Sequence, residues 1–254
     1  MKTSTHLRAY VATFIACILL VPIYWVGTFD HEFIVVASNI LFPLAAAVAT
    51  AICFLAVKKY GWRGGLPSAM TFFLVSLILW FLAELTWTIY VLLLGIEVPW
   101  PSIVDFFYIA GYIPFYIGLL IYLKIFRSAL SKVKIGALVI LTVFLAAIIV
   151  LFLVPLIVTP EVEPLEQALC LTYPILDIIL FTLGLAGVFV FIGGRIGVSW
   201  LILSLSFLID AIADILFSYF DLLGLYYEGH SLELPFLWAY FVFTLAFYIH
   251  LKEL

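Results

Sequence analysis

The sequence predicts an all-α polytopic membrane protein: eight transmembrane helices, arranged as two parallel four-helix repeats, with both termini cytoplasmic. Three observations predict it. Hydrophobic residues make up 67% of the 254 residues and charged residues 10%, far from a globular balance. Eight apolar segments, each close to the ~20 residues that cross a hydrocarbon core, alternate with short connections. All eleven Lys and Arg residues fall at the chain ends or in every second connection, and loops rich in these residues stay cytoplasmic.

The first span, 9–28, follows Lys2 and Arg8 and reads as a retained signal anchor. Spans 33–57 and 68–95 are joined by Lys58, Lys59 and Arg63. Span 103–126 ends among Lys124, Arg127, Lys132 and Lys134, and spans 135–157 and 165–192 follow. Arg195 precedes span 197–223, and Lys252 closes span 233–251. The remaining connections hold Asp30, Glu32, Glu97, Glu161, Glu163, Glu166 and Glu228, with no Lys or Arg. These connections are too short for a soluble domain. A basic inner rim suits anionic membrane lipids, and with a net charge of −4 nothing points to nucleic acid. Cys17, Cys53 and Cys170 lie inside spans without metal-type spacing and read as small packing residues. One Asn (Asn39) and one Gln (Gln167) in the whole chain point to a thermophilic source.

An internal repeat divides the chain into residues 1–134 and 135–254. At an offset of 131, Pro43 meets Pro174 and Ser68 meets Ser199; each helix pair is joined by a Gly-and-Arg loop, Gly61, Arg63, Gly64 and Gly65 against Gly193, Gly194, Arg195 and Gly197. At 130, Glu84 meets Asp214 and Trp87 meets Phe217; at 128, Asp105 meets Glu233 and Tyr112 meets Tyr240. Four spans per copy keep both copies in one orientation, about an axis along the membrane normal.

Four acids lie within spans: Glu84, Asp177, Asp210 and Asp214. A charged Asp at a helix centre costs about 2.5–3.5 kcal/mol on the insertion scale. No Lys or Arg shares their depth, so they need protons, hydration or an external cation. Asp210, Asp214 and Asp221 follow an i, i+4, i+11 pattern on one helix face. Pro43, Pro114 and Pro174 kink spans in the same outer band. Trp87, Tyr90, Tyr108, Tyr112, Tyr173, Tyr219 and Tyr240 occupy it too. The expectation is an outward-facing acidic and aromatic pocket. Its ligand residues would be Glu84, Asp177, Asp210 and Asp214 with Trp87, Tyr90, Tyr112 and Tyr173. Protons, a hard metal ion, an organic cation or a small amphiphile would suit it. The alternative makes the acids hydrogen-bonding glue between helices.

Other polar residues read as structural. Ser102 and Asp105 form a capping box opening span four, and Glu161, Glu163, Glu166 and Glu233 complement helix N-termini. The four histidines are scattered over both faces, and no pattern names a metal, a cofactor or a catalytic group. Asp210 and Asp214 share one helix, which disfavours a proton-sharing hydrolytic dyad.

The run Glu84, Trp87, Tyr90, Gly95, Pro99-Trp100-Pro101-Ser102, Asp105, Tyr108, Gly111-Tyr112 and Gly118-Leu119 resembles the multi-pass N-terminal membrane regions of bacterial diguanylate cyclases and related archaeal signalling proteins. Asp214 to Tyr219, Gly224 and Tyr226 to Trp238 resemble the later part of that region. The resemblance implies a sensory or anchoring input. No output domain accompanies it in this sequence, so a separate cytoplasmic signalling partner is expected. Three functions stay open: a sensory or binding module without catalysis, a proton- or cation-coupled transporter, and a metal-dependent lipid enzyme. The inner halves of the spans, such as Ala45–Leu55 and Phe181–Phe191, are almost wholly apolar, which favours binding without passage.

Overall fold

A computed structural model describes residues 2–160, 163–192 and 197–253, with side chains from His6 onward. Glu161, Gly193, Gly194 and Arg195 lie outside the described residues, as does the Lys2 side chain. Eight helices among the described residues are long and apolar enough to cross a membrane. They are α1 (Lys2–Gly27), α2 (His31–Tyr60), α3 (Gly65–Thr88), α4 (Ile103–Phe126), α5 (Lys132–Phe152), α6 (Pro164–Phe191), α7 (Val198–Leu222) and α8 (Glu233–Glu253). A π-helical turn, Ile89–Leu94, extends α3, and a short turn, Val154–Ile157, extends α5.

Local chemistry sets the ends. Asp30 caps α2 by accepting the Phe33 N–H at 3.0 Å. Ser102 and Asp105 form the expected capping box on α4, and Ser131 caps α5. The tight turn from α2 to α3 places Gly61 and Gly64 at φ of 104° and 91°, a region that L side chains avoid. Pro43 sits inside α2 and cannot bond the Asn39 carbonyl; the Thr88 hydroxyl donates to that carbonyl instead, at 2.7 Å.

Six helices close a ring: α2 packs on α3, α3 on α4, α4 on α6, α6 on α7, α7 on α8, and α8 returns to α2. Outside the ring, α1 leans on α8 and α2, and α5 leans on α6. These two outer helices are the least buried, and residues such as Phe14, Leu19, Ile140 and Phe144 leave their flanks apolar and exposed. A surface of this kind belongs in lipid.

Mid-bundle, Phe73, Phe115, Phe207 and Phe243 from α3, α4, α7 and α8 meet in a fully buried layer. Phe115 and Phe243 stack at 5.9 Å, and Phe207 stands edge-on to both at 4.9 Å. Towards the end that carries Lys58, Lys124 and Lys252, Tyr122 stacks on Phe191 and Trp200 at 5.3 and 4.6 Å. Small residues let backbones approach there: Ala45, Ala49, Cys53 and Ala56 form a buried stripe on α2, and Gly184 and Gly187 press α6 against α7.

Close packing of this kind is testable at one atom. A Cβ at Gly111 would collide with the Trp80 ring. Overpacking costs roughly 1–3 kcal/mol, more than the ~1 kcal/mol that Ala gains over Gly in a helix. Gly111→Ala should therefore lower the thermal midpoint in detergent. At Gly136 of α5 nothing lies within 4 Å of such a Cβ, and Gly136→Ala should hold or raise the midpoint. Equal shifts in the two variants would contradict the packing.

Candidate functional site: an acidic, aromatic cavity

The ends of six helices opposite the basic rim surround a cavity of about 450 Å³. Helical spacing assigns its walls. Trp80, Glu84 and Trp87 face it from α3, and Asp105, Tyr108 and Tyr112 from α4. Asp210, Asp214, Phe217 and Asp221 face it from α7, and Glu233, Phe236 and Tyr240 from α8. Steps of three, four and seven residues keep each set on one face. From α2 come Ser38, Asn39 and Phe42, from α6 Glu166, Cys170 and Tyr173, and from the connections Trp100, Tyr226 and Glu228. Among the described residues eight carboxylates line the cavity and no Lys, Arg or His does.

Most of these carboxylates are held by neutral donors. Glu84, 7% exposed, accepts from the Tyr240 hydroxyl at 2.8 Å. Asp105 accepts from the Ser102 backbone N–H at 2.7 Å and from the Tyr173 hydroxyl at 2.8 Å. Glu228 accepts from Trp87 Nε1 at 2.8 Å and Asn39 Nδ2 at 3.2 Å. Glu233 accepts from the hydroxyls of Tyr24 and Tyr226 and from the Gly229 N–H, at 2.7, 3.0 and 2.6 Å. Among the described residues no carboxylate pairs with Lys or Arg.

On the wall, the Tyr112 hydroxyl lies 2.6 Å from Asp214 Oδ2 and 2.7 Å from Asp177 Oδ1. One phenol proton cannot serve two carboxylates, so the trio closes only with a second proton among its members. Asp177 is fully buried and its Oδ2 has no partner. Asp210, 5% exposed, lines the cavity and accepts no hydrogen bond from the protein.

Six of the eight residues proposed from sequence therefore share the cavity wall: Glu84, Trp87, Tyr112, Tyr173, Asp210 and Asp214. Asp177 stands behind Tyr112, outside the lining. Tyr90 opens the π-helical turn and also lies outside it. By sequence, Asp105 and Glu233 have helix-end roles. They keep those positions and also line the cavity, as do Glu228, Asn39, Trp80 and Trp100. The chain's single Asn was the available signal for Asn39; nothing in the loop composition marked Glu228. No group of three or more His, Cys, Asp or Glu among the described residues converges as a metal site, because the carboxylates are spread around the walls.

Burial holds Glu228 above the usual carboxylate range, against the opposing hydrogen bonds of Trp87 and Asn39. A carboxyl raised on folding stabilises the fold below its unfolded pKa, and that contribution is lost as pH rises through the folded value. Glu228→Gln should therefore flatten the fall in thermal midpoint between pH 4 and neutrality. An unchanged pH profile would show that Glu228 titrates as it does in the unfolded chain.

Comparison with protein-family models, with curated proteins and with solved structures finds no significant match to this chain.

Proposed function

We propose that this protein is a ligand-binding sensory module of the cell membrane that takes up an organic cation from the outer face. Asp210 carries the reading. Among the described residues no donor reaches its carboxylate, yet it is buried and faces a cavity lined by acids and aromatic rings. Its oxygens open on the cavity and not on a protein donor, so the partner they take comes from outside the chain. An ammonium about 4 Å away gains about 4 kcal/mol at an effective dielectric near 20. A desolvated aromatic face adds about 2 kcal/mol. Asp210 should accordingly matter more than any single ring.

The dispersed carboxylates favour an organic cation over a metal ion, and so count against a metal-dependent lipid enzyme. The buried phenylalanine layer under the cavity favours binding over transport. The resemblance of the Glu84–Leu119 stretch to membrane input regions of diguanylate cyclases is what extends binding to sensing. On this reading a signalling partner would dock on the basic rim, whose Lys and Arg favour a cytoplasmic position for that rim and both termini.

Two four-helix repeats fit this site. Trp80, Glu84 and Trp87 have the spacing of Asp210, Asp214 and Phe217 at an offset of 130. Asp105, Tyr108 and Tyr112 have that of Glu233, Phe236 and Tyr240 at 128. Under these offsets the Tyr112–Asp214 contact corresponds to Tyr240–Glu84, and Phe115 to its stacking partner Phe243. In the ring, α4 on α6 corresponds to α8 on α2. The cavity would then lie on the pseudo-twofold axis, with each half supplying phenols to the other's acids.

A binding role and a glue role for Asp210 differ in sign. Asp210→Asn should raise the unliganded thermal stability, by removing a charge that Glu84 and Asp214 repel. The same change should abolish saturable stabilisation by organic amines in a thermal-shift assay. A variant that is less stable than the parent and still responds to amines would refute the assignment.

A further inference from the structure

The cavity's carboxylates divide into engaged and free. Glu84, Asp105, Asp214, Glu228 and Glu233 already accept hydrogen bonds from the protein. Three do not: Asp210 deep in the cavity, and Asp221 and Glu166, exposed at its mouth. Asp221 follows Asp210 by eleven residues on α7, which turns it back onto the same face and sets it about 16 Å further along the axis. Between the two poles the wall is largely aromatic, with Phe217 on α7 and Tyr173 on α6. The free acceptors thus form an acidic floor and an acidic mouth, joined by a shaft of aromatic rings in which acids such as Asp214 and Glu84 are already engaged by phenols.

The geometry points to a linear polyamine as the ligand, resting on the reading of the cavity as an organic-cation site. One terminal ammonium donates N–H bonds to Asp210. The methylene chain lies along the ring faces, and the other terminus sits between Asp221 and Glu166. A quaternary ammonium has no N–H for Asp210, and a monoamine leaves the mouth unpaired. A metal ion cannot span the two poles. Phe115 and Phe243 lie one helical turn past Tyr112 and Tyr240 and close the shaft below its floor, so an elongated ligand threads in from the mouth with one end outermost.

Calorimetric titration of the full chain in lipid nanodiscs tests this with n-butylamine, choline, putrescine, spermidine and spermine. Saturable binding is expected to tighten from putrescine to the longer polyamines, with butylamine and choline weaker by roughly 10- to 100-fold. Asp210→Asn should abolish polyamine binding. The exposed double variant Asp221→Asn, Glu166→Gln, which leaves the core untouched, should bring spermidine down to the butylamine level and leave butylamine unchanged. Choline or butylamine binding as tightly as spermidine would overturn the polyamine assignment while keeping the cation site. Absence of binding by every amine would overturn both. Weak, non-saturable binding that is equal in parent and variants would reduce the effect to surface charge and overturn the polyamine site.

Discussion

A carboxylate held at membrane depth needs donors, and among the described residues no Lys or Arg pairs with an acid. Phenol, indole and amide groups take that role. Tyr24, Tyr112, Tyr173, Tyr226 and Tyr240 each donate to an acid, Trp87 and Asn39 share Glu228, and most of these bonds join different helices. A neutral donor satisfies the acid without cancelling its charge. The result is a wall that is held together and still attractive to a cation. Replacing these donors by Lys or Arg would stabilise the acids more strongly and remove that attraction.

The rest of the bundle follows from this arrangement. Long aromatic side chains bridging to acids keep six helix ends apart and leave a cavity. At the other end, alanine, cysteine and glycine bring the same helices together, and the phenylalanine layer fills the middle. The taper is therefore built from side-chain size: large donors around the mouth, small residues at the basic end. Asp210 is the one deep acid outside the donor scheme. That exception gives the cavity chemical direction.

Sequence and structure agree on what depth controls. Hydropathy runs delimit the eight helices, and the alternation of Lys and Arg separates a basic end from an acidic one. Rotation about each helix axis was far less legible. Lipid-facing and core-facing positions are both apolar in a span, so hydrophobicity does not tell which face looks inward. That is why Asp177, at the right depth, stands behind Tyr112 and out of the lining, and why Tyr90 turns away in the π-helical segment. The i, i+4, i+11 spacing on α7 did place Asp210, Asp214 and Asp221 on one wall, because like residues sharing a face constrain rotation where apolar ones cannot. Glu228 sits in a connection among other acids, and its contacts with Asn39 and Trp87 exist only once three separate segments have met.

Cys170 provides the most direct test of an outward-facing, cation-selective cavity, since it lines the cavity while Cys53 is fully buried. In a Cys17→Ser background, intact cells would be treated from outside with membrane-impermeant thiosulfonate reagents of either charge. The account predicts that Cys170 reacts from outside, faster with the cationic reagent than with the anionic one, and that a polyamine protects it. Labelling only from the cytoplasmic side, or at equal rates for both charges without protection, would contradict it.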